Sequence, residues 1–171
     1  MRLLQSIHQY DVQTFSWFLS RKNRKQAVAA ARIASFTADG PLYIATALLF
    51  MFLQEWQIVK LLAAVFIVER CFYFVFKSLF KRNRPPQAIP GFVSAITPSD
   101  KFSFPSGHTS AAFLMAAVLS SVVPGLGWFM YPWATCIGVA RVTLGVHFPT
   151  DVIAGALMGH TIAIVLIGYM L

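Results

Sequence analysis

The sequence contains few charged residues. Asp, Glu, Lys and Arg make up only 12% of its 171 residues, whereas 57% are hydrophobic and 15% are aromatic. A soluble domain spends about 25% of its residues on these four types, because its surface faces water. The shortage of charge excludes most soluble classes of protein and predicts that lipid covers much of this one.

Acidic residues and cysteines are also scarce. Six Asp and Glu stand against 14 Lys and Arg, which gives a formal net charge of +8. In a soluble protein this excess would indicate nucleic acid, but in so apolar a chain we assign it to the membrane and an anionic ligand and expect no nucleic acid partner. The two cysteines, Cys71 and Cys136, lie in apolar stretches, where a thiol behaves as a small buried hydrophobe.

Long uncharged runs predict membrane-spanning helices, each of which needs about 20 apolar residues. Residues 102–140 contain no charged residue and are long enough for two crossings. We place these helices near 106–123 and 127–144, with a Pro-Gly hairpin between them. Residues 152–171 form another uncharged run and are the last predicted crossing.

Two more crossings are predicted upstream. Residues 58–80 have spanning length, although two ionisable residues lie near their middle. Residues 41–53 are apolar but only about 20 Å long as a helix. They are either a short crossing or the second half of one that starts near Ala27 and breaks at Asp39-Gly40-Pro41. In both cases Asp39 is expected to cap the helix.

The first 37 residues have a different pattern. Apolar residues among polar ones, followed by a basic run at 21–25, predict an amphipathic helix at the membrane surface. We therefore divide the chain into an interfacial segment, residues 1–37, and a transmembrane domain, residues 38–171. The predicted fold class is all-α: an integral membrane antiparallel helical bundle of about five transmembrane helices plus an N-terminal amphipathic interfacial helix.

Antiparallel helices bring three polar clusters to one end of this bundle. The clusters are Lys77 with Arg84-Pro85, then Pro105-Ser106-Gly107-His108, then Arg141 with His147 and Asp151. Each cluster has an ordinary structural explanation, and the convergence of all three is what indicates a site.

The first cluster places two cations seven residues apart, so Lys77 and Arg84 share one face if the helix persists. Two fixed cations that point one way suit a phosphate. The alternative is a juxtamembrane basic cluster, formed with Lys81 and Arg82, that extends to lipid headgroups.

The second cluster opens a helix after a proline. Ser106 can cap this helix, and its free amides and positive dipole end suit an anion. Gly107 would let the anion approach the backbone closely, and His108 could act as a general acid. The alternative is an ordinary cap followed by an interfacial histidine.

The third cluster combines a bidentate oxyanion binder, an imidazole and a carboxylate. Asp151, four residues after His147, could hold one ring nitrogen, which would make the histidine a nucleophile or base. Arg141 would bind the oxyanion. The alternative is that Asp151 only caps the last helix and that His147 lies in a loop.

The order and spacings of the three clusters, over roughly residues 38–171, resemble the type 2 phosphatidic acid phosphatase (PAP2) family. The resemblance implies a small bacterial membrane lipid phosphatase with an antiparallel helical fold. It also implies hydrolysis of a lipid phosphate or diphosphate through a phosphohistidine, without a metal or cofactor.

By the same resemblance, His147 would attack phosphorus while Asp151 orients its ring. His108 would protonate the leaving group and then activate water. The residues that would hold the phosphate are Lys77, Arg84, Ser106, Gly107 through its amide, and Arg141. One departure is Ala140, where the family often has a serine, so one possible hydroxyl contact to phosphate is missing.

Several alternatives stay open. The same residues could serve a lipid phosphotransferase, or hold an anionic lipid in a non-catalytic binding or transport protein. Vanadate-dependent haloperoxidases look similar at these motifs but are soluble. The motifs contact phosphate and not the tail, so undecaprenyl diphosphate, phosphatidylglycerol phosphate, phosphatidate and lipid A type substrates all fit, and the oligomeric state is undetermined.

We expect a multi-pass protein of the cell (inner) membrane. The basic residues on the site side would make that side cytoplasmic by the positive-inside rule. Some of them are assigned to phosphate, however, and many bacterial relatives act on the outer side, so we place the site on the extracytoplasmic face.

Six further residues have no assigned catalytic role. Glu69 and Arg70 form an intramembrane pair or lie beneath the site, and His160 is expected to be a hydrogen-bonded core group. Arg82 and Lys101, like Lys81, meet headgroups, a second phosphate or water.

Overall fold

The computed structural model describes residues 2–20 and 24–171, and within these ranges every regular element is a helix. In chain order the helices are α1 (Arg2–Leu19), α2 (Arg24–Phe36), α3 (Gly40–Phe52), α4 (Trp56–Phe80), α5 (Pro85–Ala88), α6 (Gly107–Val122), α7 (Gly127–Thr143) and α8 (Pro149–Met170). The all-α class is confirmed. Arg21 and Lys22, two of the predicted interfacial cations, lie outside the described residues.

Helices α4 and α8 run in opposite directions, whereas α6 and α8 run in the same direction, as a contact at each end of the bundle shows. At one end the Gln57 side chain, at the start of α4, donates a 2.7 Å hydrogen bond to the carbonyl of Met170, at the end of α8. At the other end the Ser106 amide, just before α6, donates to the carbonyl of Asp151 at 3.0 Å. The three polar clusters lie at this second end.

Helices α6 and α8 approach each other backbone to backbone. Gly155 and Gly159 are four residues apart, the small-residue spacing that allows close packing of helices in membranes. A Cβ atom at Gly155 would overlap the carbonyl of Ser106, and one at Gly159 would overlap the carbonyl of Ser110. This contact brings the second and third clusters together.

Helices α2 and α3 form one apolar stretch with a break between them. The break lies at residues 37–39, beside the predicted Asp39-Gly40-Pro41, and Trp133 of α7 donates a 2.8 Å hydrogen bond to the Thr37 hydroxyl there. Asp39 occupies the N-cap position of α3, but its side chain does not bond the helix amides. The expected side-chain cap is therefore wrong.

Two stretches of the described chain are long and apolar enough to cross a membrane. They are Arg24–Phe52, which joins α2 to α3, and Pro149–Met170. The first favours the alternative in which the crossing starts near Ala27. Gly107–Val122 is apolar but shorter, and the count of about five crossings stays a prediction.

The outer surface of the helices is apolar, as a lipid-facing surface requires. Large side chains exposed there include Phe74, Leu79, Val139, Leu157 and Ile164. Cys71 and Cys136, expected to be buried, are also exposed and form no disulfide.

Helix α1 packs against the site end of the bundle. Its Phe15 is fully buried and contacts the rings of Phe92 and Phe148 edge to face. Asp11 is also buried in this contact. The predicted domain boundary after residue 37 falls at the break between α2 and α3, and the division into two segments stays a prediction.

Candidate active site

A cavity of about 490 Å³ opens at the end of the bundle where α4 ends and α6 begins. Five of the eight predicted site residues line it: Arg84, Gly107, His108, Arg141 and His147. The other three, Lys77, Ser106 and Asp151, are buried beside it. The fold thus unites all three clusters, which the chain separates widely.

Asp100, in the loop before α6, is bonded to both cations of the first cluster. Its Oδ1 accepts from Lys77 Nζ at 2.5 Å and from Arg84 Nη2 at 2.7 Å, and its Oδ2 accepts from the Tyr73 hydroxyl at 2.6 Å. Burial alone would raise the pKa of Asp100, but the hydrogen bonds from these three partners hold that pKa well below its usual range. Asp100 is therefore a carboxylate placed in the predicted anion site.

Lys77 and Arg84 point inward. Only 6% of Lys77 and 3% of Arg84 is exposed, and Lys77 Nζ also donates to the Phe102 carbonyl. Arg84 donates to the carbonyls of Val146, at 2.7 Å, and Asp100, at 3.0 Å. For these two residues the structure favours the anion site over a cluster that faces headgroups.

His147 lies buried in the loop between α7 and α8. Its Nε2 is 3.4 Å from Arg84 Nη1. Its Nδ1 is 3.8 Å from Asp151 Oδ2, which is too long for a hydrogen bond, and has no partner in the described part of the chain. Burial, helped by the cations of Arg84 and Arg141, lowers the pKa of His147 to about 4, although the Asp151 carboxylate opposes this shift. At neutral pH the ring is therefore uncharged and has a lone pair to attack with.

Asp151 is held rigidly beside His147. Its Oδ2 accepts from the Phe148 amide at 2.8 Å and from the Ser103 hydroxyl, and its Oδ1 accepts from Arg82 Nη1 at 2.7 Å. The bond to Phe148 is the capping contact of the alternative interpretation, so Asp151 both caps α8 and faces the histidine.

Arg82 was expected to meet headgroups, a second phosphate or water. Its side chain instead lies against two carboxylates. Its guanidinium joins Asp151 to Asp11 of α1, and Asp11 also accepts from the Thr150 amide at 3.1 Å. Arg82 therefore ties the N-terminal helix to the site, whereas Lys81 and Lys101 are exposed as a solvated face requires.

Arg141 reaches the cavity with unused hydrogen-bonding capacity. Its Nη1 donates to the Ser35 hydroxyl of α2 at 2.7 Å, and its Nε is buried without a partner in the described chain. Ala140, the departure from the family pattern, packs with Ala31 and Leu144 on the α2 side. The hydroxyl near Arg141 is therefore supplied by α2.

The start of α6 differs in one detail from the prediction. Ser106 occupies the N-cap position, but its hydroxyl is buried against Thr109 Oγ1 at 2.9 Å and does not cap. Gly107 lines the cavity, where a Cβ would lie 2.8 Å from the Tyr73 ring. His108 Nε2 lies 3.0 Å from Asp39 Oδ1. A hydroxyl contact from Ser106 to phosphate stays a prediction.

Glu69 and Arg70 form the expected ion pair, and they also lie beside the site. Glu69 is fully buried and binds Arg70 through two hydrogen bonds of 2.5 and 2.8 Å. Arg70 also stacks over the Tyr73 ring at 4.3 Å and lines the cavity. His160 is hydrogen-bonded as expected, at 3.2 Å from the Tyr131 hydroxyl.

Sequence reasoning missed three polar residues of this site. They are Ser35, the carboxylate of Asp39 and Asp100. For Asp39 and Asp100 the usable signal was the scarcity of acidic residues, because an ionisable residue in an apolar membrane chain usually has a functional or structural partner. In the described ranges, no three His, Cys, Asp or Glu side chains are placed to hold a metal ion, and metal independence stays a prediction.

Comparison with known families agrees with the arrangement of the three clusters. The family model described as the PAP2 superfamily matches residues 56–171, well over half of the chain. The chain belongs to the PAP2 superfamily. The predicted resemblance is confirmed.

Curated relatives of this PAP2 chain match it over part of their length. The bacitracin transport permease protein BcrC of Bacillus licheniformis is 32% identical over 94 residues, which are 55% of this chain and 46% of the relative. The undecaprenyl-diphosphatase of Sulfolobus acidocaldarius is 32% identical over 120 residues, 69% of this chain and 58% of the relative. The chain thus spans about half the length of these relatives.

Solved PAP2 structures share the fold over nearly the whole chain. LpxE of Aquifex aeolicus superposes with a TM-score of 0.81 at 26% identity, covering 92% of this chain and 94% of that one. A PAP2 type phosphatidylglycerolphosphate phosphatase from Bacillus subtilis gives a TM-score of 0.75 at 23% identity, covering 99% and 87%. The second likeness concerns the fold alone.

Proposed function

We propose that this chain is an integral membrane phosphatase that hydrolyses a lipid phosphate or diphosphate through a phosphohistidine. The observation that carries the proposal is a buried, uncharged His147 beside two arginines, in a cavity that also holds His108. A neutral imidazole beside fixed cations suits nucleophilic attack on an anionic phosphate.

In the first half of the reaction, His147 Nε2 attacks phosphorus and the bond to the leaving oxygen breaks. His108 gives that oxygen a proton. Arg84, Arg141 and the Gly107 amide face the equatorial oxygens, whose charge they stabilise. Lys77 joins them once the substrate phosphate takes the place of the Asp100 carboxylate.

In the second half, His108 removes a proton from a water molecule that attacks the phosphohistidine. The phosphorus–nitrogen bond breaks, inorganic phosphate leaves, and His147 is again neutral. Asp151, held by Arg82 and Ser103, stabilises the positive charge that develops on the His147 ring.

The proposal includes the membrane arrangement. Five crossings are assigned to α2 with α3, α4, α6, α7 and α8, in the cell (inner) membrane, with the cavity on the extracytoplasmic face. The names of the relatives, which include an undecaprenyl-diphosphatase and a decaprenylphosphoryl-5-phosphoribose phosphatase, support lipid phosphates and diphosphates as the substrate class.

The test uses protein purified in detergent and a panel of these lipid phosphates. We expect His147→Ala to lower kcat/KM for phosphate release by at least about 10³-fold, as loss of a nucleophile does. The control is His160→Gln, in α8 away from the cavity, which should retain wild-type activity. Wild-type phosphate release by His147→Ala from every lipid would refute the proposal.

A labelled donor separates the remaining alternatives. Trapping of label on His147 excludes a lipid-binding or transport protein without turnover. Transfer of the label to a second lipid instead of water would indicate a phosphotransferase.

A further inference from the structure

Asp39 contacts the second histidine of the site from an element outside the three sequence clusters. It lies at the break between α2 and α3, and its Oδ1 is 3.0 Å from His108 Nε2. An aspartate at an N-cap position usually accepts hydrogen bonds from the first helix amides, but this one does not. Its carboxylate faces the imidazole instead.

The backbone that carries Asp39 is held in place. Ala38 is buried among α6 and α7 residues, and Trp133 donates a hydrogen bond to Thr37 at 2.8 Å. Asp39 and His108 both line the 490 Å³ cavity. The carboxylate therefore meets the ring at a fixed point beside the reaction site.

We propose that Asp39 is a positioning residue for His108, which it orients as the proton donor to the leaving group. This inference rests on the proposed function. A carboxylate at Nε2 selects the tautomer that carries a proton there. Nδ1 is then the nitrogen that exchanges a proton with substrate.

The proton balance of the reaction fits this assignment. As His147 Nε2 bonds to phosphorus and the ester bond breaks, the proton on His108 Nδ1 moves to the lipid oxygen. His108 is left neutral, with its Nε2 proton still on the Asp39 side. When water later attacks the phosphohistidine, Nδ1 takes a proton from that water and the starting state returns.

Asp39 also compensates the charge of the His108 imidazolium. Arg70, Arg84 and Arg141 line the same cavity and oppose a further positive charge there. The carboxylate of Asp39 is the negative group in contact with His108. Without it, the protonated ring would be less populated and less well aimed.

The test compares leaving groups that differ in their need for a proton. A lipid alcohol needs one, whereas 4-nitrophenol, a much stronger acid, leaves readily as its anion. For Asp39→Asn we expect kcat/KM to fall about 10- to 100-fold on the lipid phosphate but less than about 3-fold on 4-nitrophenyl phosphate. His108→Ala should show the same selectivity with a larger loss. Glu55→Gln, which removes an exposed acid at the opposite end of the bundle, should match wild type on both substrates.

Equal losses on both substrates, or no loss on either, would overturn the inference. A second measurement does not depend on turnover: ¹⁵N NMR of labelled histidines, with the His108 signals assigned from His108→Ala. Asp39→Asn should shift the His108 ring nitrogens, and unchanged shifts would also overturn it. If His147→Ala remains active, the proposed function itself fails; if only the Asp39→Asn pattern is absent, this inference fails alone.

Discussion

Five of the six acidic residues of this chain are paired with a cation or a histidine. The pairs are Asp11 with Arg82, Asp39 with His108, Glu69 with Arg70, Asp100 with Lys77 and Arg84, and Asp151 with Arg82 and His147. A buried charge without a partner is strongly unfavourable. The few acids therefore make it possible to bury the cations of the site.

Replacing Asp100 tests how the anion site is kept stable when it is empty. In Asp100→Asn, Lys77 and Arg84 lose their shared carboxylate, so we expect the free energy of unfolding to fall by about 1–2 kcal/mol, less than for a fully buried pair because Asp100 is one-third exposed. Inorganic phosphate should stabilise the variant more than wild type, since it no longer competes with Asp100. Thermal unfolding in detergent, with and without phosphate, measures both effects.

The control for this experiment is Glu55→Gln, which removes the same charge far from the site. Its phosphate response should equal that of wild type. If phosphate shifts the unfolding midpoints of Asp100→Asn and wild type equally, Asp100 does not occupy the anion site.

Among the helices, the contact between α6 and α8 determines the geometry of the site. The glycines of α8 let the backbone of α6 approach until the Ser106 amide bonds the Asp151 carbonyl. This places the loop with His147 beside the first turn of α6. A larger residue in this contact would separate His108 from His147.

Two glycines of the same helix make a matched pair for testing the contact. A Cβ at Gly159 meets the Ser110 backbone, whereas one at Gly168 meets no atom within 4 Å. We expect Gly159→Ala to lower the free energy of unfolding by about 1–3 kcal/mol, as overpacking does. Gly168→Ala should be neutral or stabilising by up to about 1 kcal/mol, because alanine favours the helix. Equal midpoints of unfolding in detergent for the two variants would contradict this packing.

The orientation of the bundle places the C-terminus opposite the cavity. Helix α8 begins at the site and ends beside the start of α4. The turn between α6 and α7 lies at that same far end. The face of the membrane that holds the site can therefore be read from reporters at these positions.

If the cavity lies on the extracytoplasmic face, as proposed, Leu171 is cytoplasmic. We expect a green fluorescent protein fused to Leu171 to be fluorescent in bacterial cells and an alkaline phosphatase fused there to be inactive. Fusions truncated after Gly125 should agree with this result, and those truncated after Gly145, at the site end, should give the opposite one. Active alkaline phosphatase at Leu171 would instead place the cavity in the cytoplasm.

The sequence alone determined the helical class, the break near Asp39 and the end of the bundle where the polar clusters meet. These features follow from local patterns: apolar runs of helical length, breaking residues and fixed spacings such as that of His147 and Asp151. The family followed from the same spacings. Such signals can be read from the sequence because residues that are close in the chain are also close on a helix.

Only the tertiary structure decided which polar groups complete the site. Asp39 and His108 are 69 positions apart, and Ser35 and Arg141 are 106 apart. Their contacts depend on how α2 and α3 pack against α6 and α7, which no periodicity in the chain specifies. The same packing turned Ser106 toward Thr109 and Arg82 toward Asp11. A buried polar group bonds to whichever partner the packed helices bring within reach. The tertiary packing therefore determines that partner.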